Sequence, residues 1–153
     1  MKTLLISLCL IFLTSAQKPR NKEEAEVFYR RSVMSQIDAH LMILMTITSA
    51  KLESRKSDLS VQANAMMSLL KESEDLFSEE RKKGKTRAKS NVWREKNKFI
   101  EMMKKNQSQV KTFVEAIPSE SWKSLEKKVD DIRKSCIGCH KSYKLSGRPL
   151  EAL

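Results

Sequence analysis

Apolar side chains recur along most of this chain at alternating spacings of three and four, the period of a helix with one face turned to a core. From Arg30 the sequence places Met34, Ile37, Leu41, Leu44 and Thr48 in one such stripe. A second runs Leu59, Ala63, Met66, Leu70, Ser73 and Phe77, with Ser57 or Asp58 where an N-cap belongs. A third runs Val92, Lys96, Phe99, Met103, Asn106, Val110, Phe113 and Ile117, with Lys96 and Asn106 as polar interruptions of its seam. The fourth holds Trp122, Leu125, Val129, Ile132, Cys136, Cys139 and Tyr143, and opens on the break and cap of Pro118, Ser119 and Glu120. The separators at 51–56, at 78–90 and around Pro118 are short and polar or charged, which favours antiparallel neighbours. The predicted fold is therefore all-α, an antiparallel up-down-up-down four-helix bundle. A three-helix bundle with the second segment loosely packed is the competing arrangement.

Composition narrows this further. Three Gly, three Pro and 6% aromatics leave little material for turn-rich strands, so an all-β fold is nearly excluded. The 153 residues suit one domain, and 40% hydrophobic content is enough to bury a core despite 32% charged residues.

The N-terminus stands apart from the bundle pattern. Lys2 precedes a ten-residue apolar run from Leu4 to Leu13, and Thr14, Ser15 and Ala16 supply small residues before Gln17. This predicts a cleaved signal peptide over residues 1–16 and an exported domain over 17–153. The run is too short for a membrane span of about 20 residues, and no transmembrane segment is expected elsewhere. Cys9 follows Leu8 inside the run, where lipid attachment would want a small residue. Export also changes the meaning of the charge. The formal net charge is +11, or +10 once Lys2 is removed, yet nucleic acid is an unlikely partner outside the cell. An acidic protein or an anionic membrane surface remains.

Without the leader the only cysteines are Cys136 and Cys139, followed directly by His140. Two thiols three apart on one helical turn can add across the two vinyl groups of haem, and the adjacent imidazole then serves as an axial iron ligand. A zinc site would need a second ligand pair, and the only other histidine is His40. A dithiol redox pair would want a βαβ context, and a disulfide across so short a loop stabilises little. One covalently attached haem c per chain is the expectation. Room for a flat macrocycle is expected where the seams carry small or polar residues, at Ala63, Lys96 and Asn106.

A four-helix pattern with CxxCH near its C-terminus resembles the class II c-type cytochromes, which include the high-spin cytochromes c prime and their low-spin, methionine-ligated relatives. The segment Tyr29-Arg30-Arg31-Ser32-Val33-Met34 resembles that family's Tyr-Arg-x-x-x-Met/Leu stretch, and Trp93 resembles an aromatic near the start of its third helix. The resemblance implies that Cys136 and Cys139 form the thioethers, that His140 is the proximal ligand and that Met34 is the distal residue. It implies a place for Arg30 near the haem propionates and for Lys144 on the proximal side. Met45 and His40 are weaker sixth-ligand candidates, displaced from Met34 along the first helix.

Two functional readings follow. In the first, Met34 binds iron and the protein is a low-spin, His140/Met34-ligated electron-transfer carrier. In the alternative, Met34 stays off the iron and nitric oxide or carbon monoxide takes an open distal position. Neither reading makes the chain an enzyme, since no paired carboxylates, nucleophile elbow or phosphate loop is present. A redox partner protein is expected, and the six positive charges between Arg81 and Lys89 favour an acidic one. The expected location is the periplasm, as a monomer or a homodimer, with Met42 and Met67 as exposed apolar candidates for pairing.

Overall fold

A computed structural model describes residues 21–81 and 85–146. The expected leader, residues 1–16, and Lys82, Lys83 and Gly84 of the basic run lie outside the described residues. Four long helices form the body: α1 (Lys22–Ser49), α2 (Asp58–Glu72), α4 (Lys96–Ala116) and α5 (Trp122–Tyr143), with a single helical turn, α3 (Asn91–Arg94), before α4. Each long helix packs on two others, in the cyclic order α1, α2, α4, α5. Trp122 at the start of α5 meets Glu53 just beyond α1, and Phe77 meets Phe99 while Leu70 meets Gln107, so α5 runs antiparallel to α1 and α4 to α2. The up-down-up-down bundle is thus present. No described helix is long and apolar enough to cross a membrane.

The seams read from the sequence are the buried faces. All six residues of the second stripe are buried, and so are Ile37, Leu41, Leu44 and Thr48 of the first. Leu44, Leu59, Met66, Phe113, Leu125 and Ile132 are among the largest fully buried side chains, each contributing roughly 1.5–3 kcal/mol by burial.

The helix boundaries depart from expectation in ways with local causes. Helix α1 begins two turns before Arg30, because Asn21 Oδ1 accepts a hydrogen bond from Glu24 N at 3.0 Å and Glu23 and Glu24 complement the helix dipole. It ends on Lys51, whose φ of 51° allows Leu52 N to donate to Ile47 O and Lys51 N to Thr48 O. That is the six-to-one and five-to-two bonding of a left-handed C-terminal cap, a position that favours glycine. Ser57 precedes α2 without a side-chain cap bond. Ser121, rather than the Pro118–Glu120 turn, caps α5, its Oγ accepting from Ser124 N. The third stripe is interrupted at Glu95, whose φ of −115° and ψ of 38° break the helix. Lys96 consequently points to solvent instead of lying on the seam.

Candidate functional site

The core divides into two clusters. The larger fills the bundle from Val33 to Ile132, while a smaller one gathers Phe77, Val92, Phe99, Met103, Cys139 and Tyr143 near the end of α5. Phe99 packs edge-on against both Phe77 and Tyr143, with ring centroids 5.0 and 5.2 Å apart. Beside this cluster lies a cavity of about 450 Å³, within the range of roughly 300–1,000 Å³ usual for ligand pockets.

Helix α5 delivers the chemistry to this cavity. Cys136, Cys139 and His140 all line it, because positions three and four apart fall on one helical face. Both thiols are free. Burial, with a smaller contribution from Cys139 and Asp38, pushes the Cys136 thiol up to about 11, and burial also raises Cys139. Protonated thiols are poor redox nucleophiles at neutral pH, which sets this pair apart from a dithiol exchange centre. His140 lines the cavity and is exposed to solvent. Desolvation first, then Lys144 and Arg87, lower its pKa, against an opposing effect of Asp38. A neutral imidazole keeps its lone pair available to a metal.

Helix α1 forms another wall. Met34 lines the cavity, half-buried, and packs against both core clusters. Arg30, one turn earlier, is only 4% exposed. Its Nη2 donates to Thr86 Oγ1 at 2.8 Å and Nη1 to Leu76 O at 3.5 Å, and the guanidinium lies 4.8 Å from the Phe77 ring centroid and 5.9 Å from that of Trp93. No carboxylate of a described residue pairs with it. Desolvation, followed by repulsion from Arg81, lowers its pKa. A buried cation in that condition is suited to a carboxylate arriving with a ligand.

The connection after α2 closes the mouth. Ala88 and Lys144 form an antiparallel bridge: Lys89 N donates to Tyr143 O at 2.9 Å, and Leu145 N to Arg87 O at 2.7 Å. Thr86, Arg87, Ala88 and Lys144 thereby join the cavity wall. Sequence reasoning missed Thr86, Arg87 and Ala88, since a run of charges reads as a solvated loop and carries no local sign of a partner strand 55 or more residues away. Trp93, in α3, donates from Nε1 to Phe77 O at 3.0 Å and anchors the entry to α4.

Other expected candidates fall elsewhere. His40 Nδ1 lies 2.7 Å from Gln62 Oε1, against α2, and Met45 packs on the larger core cluster. Neither lines the cavity. Of the three seam positions expected to make room, Ala63 is packed in the larger cluster, Lys96 faces solvent and Asn106 alone reaches the cavity. Asn106 is 5% exposed and its Oδ1 is fully buried with no hydrogen-bond partner, a condition that costs about 1–3 kcal/mol.

Two thiols and an imidazole on one wall, a buried guanidinium without a carboxylate partner on another and a pocket of this size fit a covalently held haem.

Residues 25–144 match the sequence profile of the family described as cytochrome C'. No curated protein sequence matches the chain. Among solved structures, the chain is similar to cytochrome c prime from Shewanella frigidimarina, at 22% identity and a TM-score of 0.73, covering 82% of this chain and 98% of that one. It is also similar to a ferrous variant of cytochrome c prime from Alcaligenes xylosoxidans with bound NO, at 18% identity and a TM-score of 0.72, with the same coverage. These findings correct the expectation of a low-spin His140/Met34 electron carrier. The matching family is the one whose high-spin members leave the distal position open, and the alternative reading fits it better.

Proposed function

Because the chain belongs to the cytochrome c prime family, whose members carry a covalently attached haem c, we propose that it binds nitric oxide or carbon monoxide at an open distal position and turns over no substrate. The observation that carries this reading is the cavity itself, which joins Cys136, Cys139 and His140 on α5 to Met34 on α1. Cys136 and Cys139 hold the one haem by thioether bonds, and His140 supplies the proximal imidazole. The haem supplies an iron atom with one position free for a diatomic ligand. Met34, wedged between the two core clusters, covers the distal side as an apolar shield. Arg30 pairs with a propionate and offsets the desolvation of both charges.

The basic surface suits a reductant protein with an acidic face, since opposite charges speed encounter. The signal-like segment 1–16 supports export to the periplasm, where the chain acts as a monomer or a homodimer. Optical spectra of the oxidised and reduced holoprotein, with carbon monoxide added to the reduced form, test the central reading. High-spin spectra and ready carbon monoxide binding are expected, and a Met34→Leu variant should keep the same spectrum. A methionine-to-iron charge-transfer band, absent in the variant, together with no response to carbon monoxide would overturn it.

A further inference from the structure

The inner wall of the cavity carries one polar group that the fold does not use. Asn106 projects from α4 between Met103 and Val110, both buried, and is itself 95% sequestered from solvent. Its Oδ1 is sealed in the core without a partner, and no described side chain or carbonyl receives its Nδ2. Asn106 lines the cavity, and with Oδ1 sealed in the core the donor end of the carboxamide is the end turned toward it.

The other polar groups of the cavity are committed or lie toward its mouth, where Arg87 and Lys144 are half-buried. Ser73 is fully buried and donates its hydroxyl to Leu70 O at 2.8 Å. Arg30 is held by Thr86 and Leu76. Arg31, Ser35 and Asp38 are exposed at the rim. An apolar residue at position 106 would continue the seam of α4 and leave no atom unsatisfied, so the amide is not explained by packing.

We propose that Asn106 is the hydrogen-bond donor to the small ligand held in this cavity, through its Nδ2. The inference rests on the open distal position argued above and adds to it the group that polarises the ligand. The preference it confers is for diatomic molecules that gain electron density on their outer atom when bound, because an N–H donor stabilises such charge most in a low-dielectric pocket.

The test uses the reduced holoprotein with carbon monoxide as the probe. In Asn106→Leu, which keeps the branched shape of the side chain and removes both polar atoms, the C–O stretching frequency should rise and carbon monoxide affinity should fall about fivefold, the equivalent of one net hydrogen bond. The unaltered protein should show a C–O or Fe–C band that shifts between H2O and D2O, a reading that does not depend on any variant folding. A C–O frequency indifferent both to Asn106→Leu and to D2O would overturn this inference while leaving the open distal position standing. A holoprotein that takes no carbon monoxide at all would overturn both.

Discussion

The two ends of the bundle are built differently. At the end holding the α1–α2 and α4–α5 turns, Leu44, Leu59, Phe113 and Leu125 fill the space between the helices with no accessible surface left. At the other end the helices leave a cavity of about 450 Å³ that is closed by polar ties: a buried arginine, a backbone bridge and a tryptophan bonded to a carbonyl. The first end is held by burial and needs nothing further. The second is ordered only as far as those ties and a bound group hold it, which is the usual condition of a region that must admit a ligand.

The sharpest way to break this contrast is to remove one large side chain at each end. Phe113→Ala should cost the holoprotein about 3–5 kcal/mol in denaturant unfolding, because it opens a void where nothing can collapse inward. Phe99→Ala should cost less, since the ring borders space that already exists, and should show instead in the haem spectrum. Equal costs would erase the distinction. A smaller effect is expected from Thr86→Val, which removes the charged hydrogen bond from Arg30 and should destabilise by about 1.5–3 kcal/mol, with faster amide exchange at Lys89 and Leu145 but not at Phe113. The smallest is at the filled end. Lys51→Gly relieves a left-handed backbone and should stabilise by about 1 kcal/mol in thermal unfolding, without altering ligand binding.

The same division separates what the sequence disclosed from what it did not. The filled end was legible because packing there obeys the helical period, and Leu59, Ala63 and Met66 could be assigned to the core by spacing alone. That Cys136, Cys139 and His140 share one face was legible because they are compressed into five consecutive residues, and they line one cavity. Two errors arose where a single residue resets the register. Asn21 and Glu24 started α1 earlier than the stripe suggested, and the break at Glu95 turned Lys96 outward. The cavity mouth was opaque, because Thr86 and Ala88 owe their positions to partners on other elements and their neighbours are mostly Lys and Arg. The low-spin carrier reading failed for another reason. A thioether on the right face is compatible with ligation and with shielding, and residue type alone does not separate them.

The bridge between Ala88 and Lys144 also bears on the order of folding. Its neighbouring bond from Arg87 to Leu145 spans 58 residues, whereas the turns of α5 form from contacts four residues apart. Helical turns form within about a microsecond, and closing long loops comes later because their entropy must be lost before any contact repays it. The helix bearing Cys136, Cys139 and His140 is therefore presented while the mouth still stands open, and the closing backbone bridge arrives last.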